Sequence, residues 1–284
     1  MEAHPLRGGG RHSEPRSRSR GAVPVALATL VLALAAGATP ATARPRALLP
    51  DLLTMRIGQS DLVVHASGQR LLLRLSNEIG NRGRGPLELY ASGASHNCDG
   101  DGDPSNDRDA FQRIFLDENG DHVFERRHDT ASTRRRVGCE QYHPAHHHWH
   151  LLDFSRYRLK RGRNGKTVAT STKIGFCIVD TDHAFPGIPG SPPDPGYYPA
   201  GSSDCTDSSI DGLSVGWADI YYSGVPGQQI NITGLARGRY CLLSKADPDN
   251  LLREADDSNN VRRTPIRLYP GKRTVDRLHG HCRR

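Results

Sequence analysis

The chain alternates between short apolar runs and turn-forming residues. Gly, Pro, Asn and Asp stand between the runs, as they do between strands, and no segment has the 3.6-residue apolar period of a long amphipathic helix. The pattern predicts a mainly β, antiparallel, β-sandwich-like single domain with long irregular loops and little helix. The predicted strands are Leu62–Ala66, Arg70–Leu75, Leu87–Tyr90, Arg113–Leu116, Trp149–Leu159, Thr167–Val179, Gln228–Ile232, Tyr240–Leu243 and Val261–Leu268.

One apolar segment, at about 22–38, does not fit this pattern. Arginines precede it, and Ala41-Thr-Ala43 follows it. A basic region, a short apolar region and an A-x-A site in this order are typical of a secretory signal peptide. Pro24 and the shortness of the segment argue against a membrane anchor. We therefore expect a signal peptide over residues 1–43, a secreted and extracellular domain over residues 44–284, and no stable membrane insertion after the leader is cleaved.

Cysteine usage and charge narrow the picture further. All the cysteines follow the leader, and their even number in an exported chain predicts disulfides, while the absence of a CxxC pair argues against a thiolate zinc site. The formal net charge is +7, but no Lys/Arg block interleaves with aromatic residues, so a nucleic-acid partner is not expected. The six cysteines are Cys98, Cys139, Cys177, Cys205, Cys241 and Cys282.

A histidine-rich run at 143–150 carries the strongest chemical signal. His146, His148 and His150 stand two residues apart, with Trp149 between the last two. On a strand, residues i and i+2 point the same way and lie roughly 6.6 Å apart, so the three imidazoles could converge on one ion. Imidazole suits copper, zinc, nickel or iron. The run predicts a metal site; the alternative at this point is an incidental histidine cluster.

Two acidic segments are weaker candidates for cation sites. Asp99–Asp107 begins D-x-D-x-D like a calcium loop, but Pro104 replaces the glycine of the sharp turn and the final glutamate is missing. A solvated acidic loop explains this segment equally well. Glu254–Asn260 offers hard oxygen donors that suit Ca²⁺, although its composition is also that of a turn.

Three separated motifs together resemble the lysyl oxidase family. The histidine run leads into Asp153-Phe-Ser-x-Tyr157, as in that family's copper motif. Segment 173–177, Lys-Ile-Gly-Phe-Cys, is similar to the one that carries its cofactor lysine. Segment 212–221, Gly-Leu-Ser-x-Gly-x-x-Asp-x-Tyr, is similar to the one that carries its precursor tyrosine. The similarity extends over roughly residues 49–282.

The resemblance implies a role for each motif. His146, His148 and His150 would be the Cu²⁺ ligands, with His143 and His147 outside the ligand set. Lys173 and Tyr221 would form a lysine tyrosylquinone cofactor. Such a cross-link requires a redox metal to oxidise the tyrosine ring and a neutral lysine to attack it; an apolar setting lowers a lysine pKa enough for that.

The resemblance also implies an activity. The enzyme would be a copper amine oxidase of the protein-lysine 6-oxidase type. It would use O₂ to convert a primary amine, including peptidyl lysine, into an aldehyde with release of H₂O₂ and ammonia. Asp219 would be the base that removes a proton from the substrate, and it shares a strand face with Tyr221. The exported leader and single-domain build suit a bacterial member.

Two further implications concern calcium and disulfides. Ala145 stands where the family often has a cysteine, so Cys139 is expected to substitute for it in a bridge to Cys205. The expected Ca²⁺ ligands are Asp51, Leu52, Glu254, Asp256, Asn259 and Asn260.

Functions of other classes remain as alternatives. A non-catalytic extracellular protein that binds copper or zinc would need the histidines but neither Lys173 nor Tyr221. A zinc hydrolase would need an open metal position beside a general base. The chain has no H-E-x-x-H segment, so this function ranks third.

Overall fold

The computed structural model describes residues 45–144, 147–162, 165–172, 174–201, 205–206 and 210–282, without the side chains of 92–95 and 174. The predicted leader, the predicted ligand His146 and the predicted cofactor residue Lys173 lie outside the described residues. The predictions made for them therefore stay predictions.

The described chain is mainly β, as the apolar pattern predicts. Its helical content is one 3₁₀ turn, Pro270–Lys272. The described residues contain no helix that is long and apolar enough to span a bilayer. The strands are β1 Ala47–Leu48, β2 Leu52–Thr54, β3 Leu62–Ser67, β4 Arg70–Leu75, β5 Asn77–Asn81, β6 Leu87–Ser95, β7 Asp107–Leu116, β8 Ser132–His143, β9 His148–Lys160, β10 Thr167–Thr170, β11 Ile174–Phe176, β12 Asp211–Leu213, β13 Ala218–Tyr221, β14 Gln229–Asn231, β15 Gly238–Ala246, β16 Val261–Tyr269 and β17 Thr274–Arg277.

The strands form three antiparallel sheets. The large sheet has the order β12-β6-β7-β8-β9-β15-β16-β17, with β1 paired to β7 and both β10 and β11 paired to β9. The two small sheets have the orders β13-β5-β2 and β14-β4-β3. Strand β9 is thus central, because it pairs with β8, β10, β11 and β15.

One buried apolar cluster joins the three sheets. Leu159 of β9 and Leu242 of β15 contribute from the large sheet, and Leu52 and Leu73 contribute from the two small ones; each is 0% exposed. Complete burial of a leucine side chain stabilises the fold by about 1.5–3 kcal/mol. Tyr221 of β13, a strand of a small sheet, packs against this shared core.

The predicted strand Thr167–Val179 is wrong as a single element. The structure has β10 and β11 instead, and both pair with β9. Ile174 pairs with Ser155, but Phe176 pairs with Leu151, so β9 contains two extra residues over this interval. Asp153 lies in this interval with φ 60°, in the left-handed region that kinks a strand.

The predicted Cys139–Cys205 bridge is also wrong. Cys139 lies on β8 next to β7, and it bonds Cys98, which lies shortly after β6, with a Cα–Cα distance of 5.6 Å. Cys205 bonds Cys177, directly after β11. The third bridge joins Cys241 and Cys282.

Candidate active site

A cavity of about 570 Å³ opens where β9, β11 and β13 meet. It brings together side chains from all three of the motifs that the sequence singled out. Its lining residues are Gln141, His143, His148, His150, Leu152, Gly175, Phe176, Cys177, Val179, Thr181, Asp219, Ile220, Tyr221, Val225, Pro226 and Gly227.

Two of the three predicted ligand histidines converge on this cavity. The Nε2 atoms of His148 and His150 lie 3.0 Å apart, and their ring centroids lie 4.9 Å apart. The His143 ring stacks on His150 at a centroid distance of 5.0 Å. Three imidazoles therefore line one cavity, and the His143 ring forms part of its wall beside His148 and His150.

The β8–β9 hairpin presents these rings. His143 pairs with His148 across the hairpin, and Tyr142 pairs with Trp149. Trp149 is buried on the opposite face, where the Arg108 guanidinium lies 4.0 Å from the centre of its ring. Because residues alternate between faces along a strand, burial of Trp149 turns both neighbouring histidines toward the cavity.

Tyr221 reaches the cavity from the opposite sheet. It ends β13, where it pairs with Asn77 of β5. Its hydroxyl donates a hydrogen bond to the Cys177 carbonyl, and the Phe176 ring meets its ring edge-on at a centroid distance of 4.0 Å. Burial raises the pKa of the Tyr221 hydroxyl, and the Asp219 carboxylate raises it further.

Asp219 lies two residues before Tyr221 on the same face of β13. Its carboxylate is 3% exposed and accepts hydrogen bonds from the Val179 amide and the Thr181 hydroxyl, each at 3.3 Å. Burial raises the pKa of Asp219 to about 8, although these donors oppose the shift. A carboxyl group with this pKa can exchange a proton near neutral pH.

Gly175 allows β11 to approach β9 closely. A Cβ at this position would lie 3.1 Å from the Leu151 carbonyl oxygen and 3.2 Å from the His150 Cβ. Both distances are tighter than ordinary contact. The glycine of the Lys-Ile-Gly-Phe-Cys segment therefore keeps β11 against the histidine strand and sets the position of Phe176.

The predicted calcium residues form a second cluster away from the cavity. Glu254 accepts hydrogen bonds from the Leu52 amide at 2.7 Å and the Asn260 side chain at 2.8 Å. Asn259 donates to Asp51 at 2.7 Å. Asp256 does not join the group of carboxylates around Glu254, and it accepts instead from the Ser258 amide at 2.8 Å.

Sequence reasoning missed several participants at both places. Asp247 and Asp257 place carboxylate oxygens within 4.8 Å of each other and of Glu254. Thr181 contacts Asp219 and accepts from the Ile220 amide at 2.8 Å, and Gln141 lines the cavity. Asp257 stands in the segment 254–260 that the sequence singled out, whereas Asp247, Thr181 and Gln141 stand in no motif.

Known proteins match the part of the chain that carries this geometry. The lysyl oxidase family model matches residues 122–277. Protein-lysine 6-oxidase from Gallus gallus is 35% identical over 144 residues, which are 50% of this chain and 31% of that protein. The corresponding protein from Sus scrofa is 35% identical over 50% of this chain and 52% of its own length. Lysyl oxidase homolog 1 from Homo sapiens is 33% identical over 46% of this chain and 21% of its own length.

The match thus spans about half or less of the length of these curated relatives. The family model itself covers more than half of this chain, and the matched region contains the histidine run, the segment of β11 and all of β13. The chain belongs to the lysyl oxidase family.

Proposed function

We propose that the protein is a secreted copper amine oxidase that deaminates primary amines, including peptidyl lysine, with a lysine tyrosylquinone cofactor made from Lys173 and Tyr221. The single observation that carries this proposal is the shared cavity. It places His148 and His150 of one sheet together with Asp219 and Tyr221 of another.

The histidines fit the proposed metal. Bonds from imidazole to a divalent transition metal are about 2.0–2.1 Å long, so two nitrogens on one ion at an angle near 90° lie about 3 Å apart. The two Nε2 atoms are 3.0 Å apart. The same distance also permits a hydrogen bond between neutral rings when no metal is bound. His146, His148 and His150 would hold Cu²⁺, which together with O₂ would supply the oxidation that converts a tyrosine ring into a quinone.

The surroundings of Tyr221 suit a residue that becomes a fixed cofactor. The Phe176 ring and the Cys177 carbonyl hold the phenol in one place. When formed, the quinone supplies an electrophilic carbonyl and an electron sink for amine oxidation. The protein residues must then bind the amine, exclude water and move its protons.

Asp219 would move the proton that leaves the amine-bearing carbon. Its carboxylate lines the same cavity as Tyr221 and is held by the Thr181 hydroxyl. With the pKa of Asp219 raised to about 8 by burial, the ionised form is a stronger base than an exposed aspartate. It can take a proton from carbon and later return it to solvent.

We expect kcat/KM to rise with pH up to about 8 and then to level off. Below this value Asp219 is protonated and cannot accept a proton, because burial raises its pKa to about 8. Asp219→Asn should lower kcat by about 10²–10⁴-fold, the usual contribution of a general base, and should remove this limb of the pH profile. Asp276→Asn, at an exposed position on β17, is the control. An unchanged pH profile in Asp219→Asn would assign the base to another residue.

The cavity wall also suits an alkyl amine. Leu152, Val225 and Pro226 provide apolar surface beside the polar groups. A lysine side chain has a four-carbon stem that such a wall can cover while the amine reaches Tyr221. The substrates would be a primary amine or a protein lysine, together with O₂.

The rival function is an extracellular copper- or zinc-binding protein without catalysis. To separate the two, copper-loaded protein would be incubated in air, treated with phenylhydrazine and digested for peptide mass spectrometry. We expect a coloured adduct on a cross-linked peptide that contains Lys173 and Tyr221, and amine-dependent H₂O₂ release. Linear peptides with unmodified Tyr221 after full copper loading would contradict the amine oxidase proposal and support the non-catalytic metal-binding function.

We also propose Ca²⁺ at the cluster around Glu254. The donors fit a hard cation: Asp247, Glu254 and Asp257 bring their oxygens within 4.8 Å of one another, and the buried Asn260 Oδ1 has no hydrogen-bond partner among the described residues. Oxygen donors of this kind are those that Ca²⁺ prefers. The set expected from the family also includes Asp51, Leu52, Asn259 and Asp256, of which Asp256 lies outside this group of carboxylates.

Glu254→Gln is expected to remove one bound Ca²⁺ per chain, because it deletes the central negative charge of the group. Equilibrium dialysis with metal analysis would measure this number. Equal calcium content in the variant and the wild type would mean that the Glu254 cluster is held by its hydrogen bonds alone.

Two features of the chain agree with its export from the cell. The described cysteines are all paired in disulfides, which form and persist outside the reducing cytosol. The arginine-rich leader before Ala43 supplies the signal. Cleavage of the leader and a bacterial origin stay predictions.

A further inference from the structure

The acidic loop between β6 and β7 carries features that the amine oxidase proposal does not use. Its sequence from Asp99 to Asp107 contains four aspartates and no Lys or Arg. The Cys98–Cys139 bridge fixes its beginning to β8, and Asp107 fixes its end as the first residue of β7, paired with Gln141. The loop is therefore anchored at both ends on neighbouring strands.

Three carboxylates of this loop converge. Asp99, Asp101 and Asp107 each place an oxygen within 4.8 Å of those of the other two. Asp99 and Asp101 are exposed, whereas Asp107 is 0% exposed. Burial raises the pKa of Asp107, and the charges of Asp99 and Asp101 raise it further. The group thus concentrates negative charge around one buried carboxylate.

An independent observation points to a ligand in this space. Among the described residues, the Oδ1 atom of the buried Asp107 has no hydrogen-bond partner, and neither does the buried Oδ1 atom of the adjacent Asn106. The other oxygen of Asp107 accepts from the Asp99 amide at 3.2 Å. An unpaired buried oxygen destabilises the fold unless water or an ion satisfies it.

A second acidic turn, which follows the other end of β7, shows the contrast. Asp117 is also buried, but its carboxylate accepts from the Gly120 amide at 2.8 Å, from the His122 amide at 3.1 Å and from the His122 ring at 2.7 Å. Donors among the described residues reach both carboxylate oxygens of Asp117, but they reach only one of the two oxygens of Asp107.

We propose that Asp99, Asp101, Asn106 and Asp107 form a Ca²⁺ site, separate from the cluster around Glu254. All of its donors are oxygens, three of them from carboxylates, and such a set selects a hard divalent cation over copper or zinc. Bound Ca²⁺ would offset two of the three carboxylate charges and would give the unpaired oxygens of Asn106 and Asp107 a partner.

The site is tied to the wall of the active-site cavity. The Gln141 side chain donates to Asp99 at 2.6 Å, and Gln141 lines that cavity and pairs with His150. The cation would thereby fix the end of β8 next to the histidines. The proposal itself does not depend on the amine oxidase function.

The test measures Ca²⁺ binding to the full chain in a Glu254→Gln background, by equilibrium dialysis and by the shift in unfolding temperature on addition of Ca²⁺. In that background we expect one ion per chain. Addition of Asp101→Asn should weaken its binding by about tenfold or more, through the loss of one ligand charge. Asp101 is exposed, and an asparagine there can still accept from the Asp103 amide, now 2.7 Å away, so this variant keeps the turn.

Asp121→Asn is the matched control. Asp121 is likewise exposed and accepts from the amide two residues later, at 2.8 Å, but it belongs to the turn of the satisfied Asp117. We expect its Ca²⁺ affinity to equal that of the background. Equal affinities with and without Asp101→Asn, an equal loss in Asp121→Asn, or no Ca²⁺ bound by Glu254→Gln at millimolar concentrations would each overturn the proposal. The proposal for the Glu254 cluster is tested separately, by the difference in bound Ca²⁺ between the wild type and Glu254→Gln.

Discussion

Tyr221→Phe is expected to abolish amine oxidation while the protein still folds and binds copper. A phenylalanine keeps the ring that packs edge-on against Phe176 at 4.0 Å, but it has no oxygen from which a quinone can form. Because every turnover would pass through this cofactor, we expect kcat/KM to fall by at least about 10³-fold, as after loss of a covalent catalytic group. Amine-dependent H₂O₂ release and the absorbance of the phenylhydrazine adduct would measure the loss.

Tyr222→Phe provides a matched control. Tyr222 is the next residue and is 62% exposed, so the same chemical change there should leave both readings at the wild-type level. The Tyr221→Phe protein should unfold near the wild-type temperature, since it loses one hydrogen bond to the Cys177 carbonyl, worth about 0.5–1.5 kcal/mol. Amine oxidation at the wild-type rate in Tyr221→Phe would exclude a quinone at this position.

The apolar pattern predicted strands such as β4, whose apolar residues are buried, but it missed others, among them β8. Strand β4 has the predicted bounds, Arg70–Leu75, because consecutive leucines of that run are buried. Strand β8, Ser132–His143, was missed, although it pairs with both β7 and β9. Its first residues are polar and exposed, and pairing with neighbouring backbones, rather than burial of side chains, makes them a strand.

The candidate site could be predicted in part. The motifs identified His148, His150, Asp219 and Tyr221, and all four line one cavity. Their meeting depends on the packing of the small sheet that contains β13 against the large sheet that contains β9, and no local pattern encodes this packing. The same reason explains why Thr181 was missed: its hydroxyl matters only because the fold brings it to Asp219.

The disulfide prediction failed for a related reason. A pairing was chosen by similarity to the family, with Cys139 replacing a cysteine that is absent at Ala145. In the structure Cys139 is held by the pairing of β8 with β7, which brings it next to Cys98. Sequence spacing does not reveal which strands are neighbours, so it could not select among the possible pairings.

His148→Ala and His150→Ala are each expected to lose copper together with activity. Their Nε2 atoms, 3.0 Å apart, would be two of the three ligands. Mutation of a residue that merely hydrogen-bonds to a metal ligand commonly lowers metal affinity by about 10–100-fold. Removal of a ligand itself should therefore weaken Cu²⁺ binding by more than about 100-fold. Copper per chain after dialysis and the spectrum of bound Cu²⁺ would measure this, and without copper the Lys173–Tyr221 cross-link should not form.

His147→Asn is the matched control within the same run. His147 is exposed, and its φ of 60° lies in the left-handed region, which asparagine tolerates better than most residues. His148 lines the cavity, whereas His147 does not. The His147→Asn variant should therefore keep its copper, its cross-link and its activity. Copper loss in His147→Asn equal to that in His150→Ala would show that the run binds metal as an unstructured tract. Copper retention in all three variants would place the metal on other residues altogether.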